Sequence, residues 1–260
     1  MKHFIFYITI TFVIMNCTGK DSNALTEIIY KDNKQILKGY AAQPSIPNKN
    51  KVGILILPAW MGIDEHAKET AVQLSKLGYY VFIADIYGEG NYPKNTNDAG
   101  KISTYYKKNT DAYRNRIQLA LAQLLINGAN AKNIAVIGYC FGGTGALEAA
   151  RANMPVNGVV SFHGDLARDT TKKIQNILPK ILVCHGADEI FVPEEEATAF
   201  RDEMRKSKAD WQMIYYGNAV HAFTDKNAGN NNATGAAYNK KAANRSWQAM
   251  MDFFTAIFSK

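Results

Sequence analysis

The sequence predicts an α/β fold in which a mostly parallel, twisted β-sheet carries helices on both faces. Continuous apolar runs, such as residues 52–57 and 134–138, are typical of strands that are buried on both sides of a sheet. Amphipathic segments such as residues 65–77 lie between these runs, and strands that alternate with helices form parallel sheets. The length of 260 residues and the 47% hydrophobic content agree with one domain that has a buried core.

The elements are predicted in order along the chain from apolar runs for strands and from helical apolar spacing for helices. The first two strands form a hairpin around Asp32-Asn33, and two of the helices end at Gly78 and Gly128. Strands are predicted at residues 26–30, 35–42, 52–57, 79–84, 134–138, 158–162, 180–185 and 211–216. Helices are predicted at residues 65–77, 111–126, 142–152, 194–206 and 238–258. The polar stretch 88–98, rich in Gly and Asn, is predicted to be a loop over the sheet edge.

The first residues are predicted to be an export signal rather than part of the fold. An uncharged run at residues 4–15 follows Lys2 and is shorter than the roughly 20 residues that a membrane-spanning helix needs. The run ends at Asn16-Cys17, which resembles the lipobox of bacterial lipoproteins, although a small residue is usual at the position of Asn16. We therefore expect a signal peptide with lipobox at 1–17, lipidation of Cys17, a short tether at 18–24 and the domain at 25–260. A simple cleaved signal is the alternative, and either form is exported, as a periplasmic protein or a membrane-anchored lipoprotein.

The distribution of charge argues against nucleic acid as a partner, and the spacing of the cysteines argues against a metal site. The formal net charge is +7, but Lys and Arg are scattered without a dense basic run, which argues against nucleic-acid binding. Beyond Cys17, only Cys140 and Cys184 remain, and neither has the spacing of a metal site. We expect two free thiols and no metal. A disulfide between the two, acting as a redox element, is the alternative in an exported protein.

The segment Gly138-Tyr139-Cys140-Phe141-Gly142-Gly143 is the most informative part of the chain. It follows an apolar strand and begins a helix, which is the setting of the nucleophile elbow in the α/β-hydrolase fold. The flanking glycines allow close backbone packing, and the helix N-terminus favours negative charge on the nucleophile. A thiolate is the reactive form of cysteine, so Cys140 is predicted to be the nucleophile.

An elbow of this kind also requires an acid and then a histidine later in the chain. Segment 185–193 follows a predicted strand and contains Asp188 and Glu189 as candidate acids. His221 follows the strand at 211–216 and is the only histidine after the acid segment, so it is predicted to be the base. The carboxyl ends of strands are where open α/β sheets place their sites.

Two backbone N–H groups are predicted to form the oxyanion hole. One belongs to Phe141, the residue after the nucleophile, and the other to Trp60, in the loop after the first buried strand. The remaining histidines of the domain are expected to have structural roles, on the surface for His66 and in hydrogen bonds at strand ends for His163 and His185.

These residues resemble the dienelactone hydrolase family over about residues 25–258. The resemblance implies an ester or lactone hydrolase of α/β-hydrolase fold with a Cys-His-acid triad, no metal and no cofactor. The acid position of the family falls on Glu189, with Asp188 as the competing choice. The stretches that carry the resemblance are 58–63, 78–88, 138–143, 185–193 and 220–223.

Two departures from the family concern the substrate. Ala59 stands where the family member acting on dienelactone has a glutamate, and Asp225 stands where it has an arginine that holds a substrate carboxylate. A small uncharged ester or lactone is therefore the expected substrate, and the membrane is expected to be contacted only through a lipid anchor. The alternative is a non-catalytic surface lipoprotein of the same fold that binds a ligand or a partner. The pattern indicates no particular oligomeric state.

Overall fold

A computed structural model describes residues 25–259, and the expected signal peptide, Cys17 and the tether lie outside these described residues. Eight strands form one sheet in the order β1-β2-β4-β3-β5-β6-β7-β8. In chain order the strands β1 to β8 are Thr26–Asp32, Gln35–Ala42, Gly53–Leu57, Tyr80–Ile83, Ile134–Tyr139, Gly158–Phe162, Lys180–Gly186 and Trp211–Tyr216. The helices α1 to α6 are Glu65–Lys76, Thr96–Lys108, Thr110–Ile126, Phe141–Arg151, Glu194–Lys206 and Lys240–Phe258.

The sheet is mostly parallel, as the sequence predicts. β1 and β2 form an antiparallel hairpin, and β2 also pairs antiparallel with β4, whereas every pairing from β4 to β8 is parallel. Two core clusters fill the two faces of the sheet. One cluster includes buried residues of α2, α3, α4 and α5, and the other includes residues of α1 and α6. These layers confirm the predicted fold class.

The position of the site follows from the strand order. The chain leaves β3 towards β4 on one side, and β5 returns to pair with β3 on the other side, which creates a switch point in the topology. Ligands of open α/β sheets bind outside the carboxyl ends of the strands at such a point. Cys140 directly follows β5 there, in register with the end of β6, because Tyr139 pairs with Phe162.

The main difference from the predicted elements is α2. Part of its range was predicted as loop, because the segment is rich in Asn and Gly, which have low helix propensity. One local and one long-range contact offset this propensity: the Asn95 side chain caps the helix by accepting from the Asp98 N–H at 3.0 Å, and Tyr106 packs into the core. Smaller differences are a start of α6 at Lys240 instead of 238 and a start of α4 at Phe141 instead of 142. Within residues 25–259, no helix has the length and hydropathy of a membrane span.

Candidate active site

Cys140 occupies a strained turn between β5 and α4. Its backbone angles are φ 52° and ψ −119°, a conformation that residues with a Cβ rarely adopt. Gly138 and Gly142 make the turn possible, because a Cβ at Gly138 would overlap the backbone of Gly142, and a Cβ at Gly142 would overlap the backbone of Leu57. The sequence pattern of glycines two residues on either side therefore has a direct steric cause.

Hydrogen bonds and ring stacking hold the turn in this conformation. The Cys140 N–H donates to the Phe162 carbonyl at 3.0 Å, and the Thr144 N–H donates to the Cys140 carbonyl at 3.2 Å. The Tyr113 hydroxyl donates to the Phe141 carbonyl at 2.9 Å, and the two rings stack with centroids 4.6 Å apart. Cys140 itself is half-buried and lines a mostly apolar cavity.

The structure brings His221 together with Glu189. His221 Nδ1 lies 2.7 Å from Glu189 Oε2, and Glu189 Oε1 accepts the Phe191 N–H at 2.8 Å. The Glu189 side chain is only 1% exposed, so its carboxylate is committed to these two partners. Asp188, the competing candidate, is exposed, and its carboxylate has no hydrogen bond or ion pair within the described part of the chain.

The position of His221 is fixed by its own backbone. Its N–H donates to the Gly235 carbonyl, and its carbonyl accepts the Ala237 N–H, both at 3.0 Å. The imidazole and Cys140 line the same cavity, and Cys140 is close enough to raise the pKa of the imidazole. The structure thus brings together the three residues that the sequence singled out as nucleophile, base and acid.

These neighbours change the protonation of the histidine and the acid. Burial lowers the pKa of His221, but its interactions with Cys140 and Glu189 raise it more, to about 10. Burial raises the pKa of Glu189, but the hydrogen bond and charge of His221 bring it below its usual value. His221 therefore keeps its proton at neutral pH beside an ionised Glu189.

Cys184, in contrast to half-buried Cys140, is fully buried. It lies inside β7 with no exposed surface, and burial raises the pKa of its thiol to about 12. Its sulfur accepts a weak hydrogen bond from the Tyr216 hydroxyl at 3.6 Å. Both Cys140 and Cys184 are free thiols, so the alternative of a disulfide between them does not apply to this structure.

The two predicted oxyanion donors border the same cavity. Neither the Trp60 N–H nor the Phe141 N–H has a hydrogen-bond partner within residues 25–259, and both residues line the cavity with Cys140. The Tyr87 hydroxyl donates to the Trp60 carbonyl at 2.7 Å, and the Tyr87 ring stacks on the Phe141 ring with centroids 5.7 Å apart. Tyr87 therefore links the two segments that carry the predicted oxyanion donors.

The cavity is large enough for a small organic molecule and is mostly apolar. Its volume is about 500 Å³, and Trp60, Met61 and Phe191 are partly exposed at its mouth. Lys107 is the one lysine or arginine of the lining, and it is paired with Asp165 at 2.7 Å. Residues 25–259 hold no cluster of three or more His, Cys, Asp or Glu side chains arranged for a metal ion.

Two further histidines lie at the site, and the hydrogen-bonding role predicted for His163 is confirmed, although its bond to the Cys140 N–H was not predicted. His66 was expected to be on the surface or structural, but it is half-buried and lines the cavity. His163 is fully buried directly below the nucleophile, where its Nδ1 accepts the Cys140 N–H at 3.2 Å. The available signal was the position of His163, one residue after β6, at the same sheet edge as Cys140. The buried Nδ1 of His185 has no hydrogen-bond partner in the described part of the chain.

Comparisons with known proteins identify the family and agree with the fold. Residues 37–258 match the family model described as "Dienelactone hydrolase family". A solved structure named m3DLH shares 33% identity and a TM-score of 0.85, and the match covers 90% of this chain and 98% of that one. A dienelactone hydrolase-like promiscuous phosphotriesterase from metagenomic libraries shares 35% identity and a TM-score of 0.82, with the same coverage. A putative carboxymethylenebutenolidase of Yersinia pestis is 24% identical over 84% of this chain and 83% of its own length.

Proposed function

This chain belongs to the dienelactone hydrolase family and is an ester or lactone hydrolase, and we propose that it acts on small uncharged substrates through Cys140, His221 and Glu189. The observation that carries the proposal is the pairing of the His221 imidazole with the buried Glu189 carboxylate in the same cavity that Cys140 lines. A thiol in this setting is an activated nucleophile, because its base is oriented by a third group.

The proposed reaction has two steps. The Cys140 thiolate attacks the substrate carbonyl, and the N–H groups of Trp60 and Phe141 hold the resulting oxyanion. Protonated His221 then gives its proton to the leaving alcohol, and a thioester remains on Cys140. Neutral His221 next removes a proton from water, the hydroxide attacks the thioester, and the carboxylic acid leaves with the thiolate restored. Glu189 stays ionised and keeps the imidazole in the required tautomer and orientation.

The proposed preference for uncharged substrates rests on the charges around the cavity. Asp64 and Asp225 line it without a Lys or Arg partner in the described residues, and Lys107 is neutralised by Asp165. A substrate carboxylate would therefore meet like charges and no free cation, which costs binding energy in a site that is partly shielded from water. A neutral ester or lactone meets no such penalty and gains from contact with the apolar lining.

A neutral phosphate triester is a second candidate substrate. It shares the absence of charge that the cavity favours, and the solved relative at 35% identity is described as a promiscuous phosphotriesterase. Turnover of a nitrophenyl dialkyl phosphate by the purified protein, lost in Cys140→Ala, would support this activity. Ester turnover without triester turnover would restrict the proposal to carboxylic substrates.

The central test compares the two cysteines. Cys140→Ala removes the nucleophile from the turn and should abolish hydrolysis of p-nitrophenyl acetate while the protein stays folded. Cys184→Ala is the matched control, because it removes a buried thiol away from the cavity and should leave turnover by the folded protein in place. Turnover by Cys140→Ala at the rate of the unmodified protein would refute the triad. Absence of turnover by the unmodified protein would favour the alternative of a non-catalytic lipoprotein that binds a ligand or a partner.

Export of the protein is proposed from the sequence of residues 1–17. Lipidation of Cys17 predicts that bacterial cells expressing the full chain incorporate labelled palmitate into it and that Cys17→Ala abolishes the label. Secretion of an unlabelled, shortened protein would instead favour the simple cleaved signal.

A further inference from the structure

A chain of hydrogen bonds runs beneath the nucleophile to the far side of the cavity. The Cys140 N–H donates to His163 Nδ1 at 3.2 Å. His163 Nε2 lies 2.8 Å from Thr224 Oγ1, and the same oxygen lies 3.3 Å from His66 Nε2. These residues come from four different segments of the chain, so the contacts depend on the complete fold.

The direction of each hydrogen bond follows from chemistry. A backbone N–H can only donate, so Nδ1 of His163 carries a lone pair. The ring then has its proton on Nε2 in the neutral form, and this N–H donates to Thr224 Oγ1. The Thr224 hydroxyl keeps its own proton for His66 Nε2. When His163 is uncharged and has its proton on Nε2, each hydrogen bond in the series has one donor and one acceptor.

The surroundings favour the same neutral state. His163 is fully buried, and burial holds its pKa well below the usual value, with the neighbouring His221 lowering it further. The rings of His163 and His221 meet edge to face with centroids 5.2 Å apart. A proton on His163 would place a second positive charge beside the charged His221 and would remove the acceptor for the Cys140 N–H.

We infer that His163, held by Thr224, is a positioning residue that fixes the strained backbone of Cys140 so that its sulfur stays aligned with His221. Cys140 cannot hold its positive φ without support, and its N–H is shared between the Phe162 carbonyl and His163 Nδ1. His163 is suited to give that support, because its own backbone N–H is bonded to the Cys184 carbonyl at 2.9 Å. The inference rests on the proposed function of Cys140.

Side-chain variants separate the hydrogen bonds from the packing of the ring. His163→Leu removes both ring nitrogens, whereas His163→Asn retains an acceptor at about the reach of Nδ1. We expect His163→Leu to lower kcat by about 100-fold with KM changed less than about threefold, because a small displacement of the nucleophile costs the chemical step and not binding. His163→Asn should recover most of the kcat.

Thr224, which accepts from His163 in this series of hydrogen bonds, allows a second pair of variants with smaller expected effects on kcat. Thr224→Val removes the hydroxyl with little change in volume, and we expect kcat to fall by about tenfold, while Thr224→Ser keeps the hydroxyl and should stay within about twofold of the unmodified protein. This pair tests the inference even where His163→Leu does not fold. Thermal unfolding of each variant establishes that the folded form is being assayed.

The rate of Cys140 alkylation by iodoacetamide provides a readout that does not depend on the choice of substrate. Slower alkylation in Thr224→Val and His163→Leu, with recovery in Thr224→Ser and His163→Asn, supports the positioning role. Equal kcat and equal alkylation in all folded variants would overturn it, as would equal impairment of His163→Leu and His163→Asn. The proposed function fails separately, through turnover that survives in Cys140→Ala, so the two failures are distinguishable.

Discussion

Replacement of Glu189 by glutamine tests how the acid controls the site. Glu189 and Cys140 together raise the pKa of His221 from 6.5 to about 10 against the effect of burial. At about 1.4 kcal/mol for each tenfold change in the protonation equilibrium, this rise corresponds to roughly 5 kcal/mol, and we take about 2 kcal/mol as the share of Glu189 because the share of Cys140 is the larger one. Loss of that share alone predicts a fall in kcat/KM of about 30-fold.

The actual loss in Glu189→Gln should be larger than this electrostatic share. The glutamine amide can donate to Nδ1 and so stabilise the wrong tautomer of His221, an effect worth up to about 10⁴-fold in other triads. The assay is p-nitrophenyl acetate hydrolysis at pH 7.5, with Asp188→Asn as the matched control. Asp188 is exposed and has no contact with His221, so its variant should stay within about twofold of the unmodified protein.

Two results would refute this reasoning. Glu189→Gln that retains more than half of the activity would show that the carboxylate does not support the base. A loss in Asp188→Asn equal to that in Glu189→Gln would transfer the role to the neighbouring residue.

The stability of the protein provides an independent check on Glu189. Because the pKa of Glu189 is lowered in the folded protein, its ionised form stabilises the fold above the pKa of the unfolded chain. That contribution is lost as the pH falls through the lowered value. In urea unfolding, the free energy of unfolding of the unmodified protein should therefore exceed that of Glu189→Gln at pH 6, and this difference should shrink towards pH 3. A difference that grows on acidification would contradict a lowered pKa of Glu189.

Four further predictions concern the turn, the thiols and the substrate. Gly142→Ala should destabilise the protein by about 3 kcal/mol in urea unfolding, because its Cβ overlaps the Leu57 backbone, whereas Gly217→Ala has open space and should cost less than about 1 kcal/mol. Cys140→Gly should be more stable than Cys140→Ala, because glycine relieves the positive φ, and the reverse order would contradict backbone strain. Iodoacetamide followed by mass measurement should label Cys140 rapidly at neutral pH and buried Cys184 slowly, and equal rates would contradict activation of Cys140. Asp225→Arg should raise kcat/KM for a carboxylate-bearing ester relative to a neutral one, and an unchanged ratio of the two kcat/KM values would show that Asp225 does not select the substrate.

Much of the fold was predictable because the strands are continuous apolar runs. β3 and β5 are fully buried, and no polar residue interrupts their pattern. The helix α2 was not predictable in the same way, since its stability depends on a cap by Asn95 and on Tyr106 reaching a core that only the complete fold creates. The residues around Asn95 contain no information about the distant core residues against which Tyr106 packs.

The same distinction applies to the candidate site. Cys140 and His221 stand in motifs with a local cause, the glycine-flanked turn and the strand end. The choice between Glu189 and Asp188 depended on which carboxylate a loop turns inward, and the structure has Glu189 against His221. The role inferred for His163 depends on a meeting with Cys140 across two strands and with Thr224 across 61 residues, so no spacing in the sequence could indicate it.

We expect position in the sheet, and not residue type, to determine the reactivity of the two thiols. Cys184 lies in the interior of β7, where burial keeps the thiol protonated. Cys140 lies one residue beyond β5, where the chain must turn sharply, and that turn exposes the sulfur to His221 and to the cavity. The strain at Cys140, about 1–3 kcal/mol for such a conformation, is tolerated because the glycines, Phe162 and His163 leave the backbone no other arrangement. A relaxed turn would be more stable, but it would move the sulfur away from its base, and the strain is therefore a condition of the proposed chemistry.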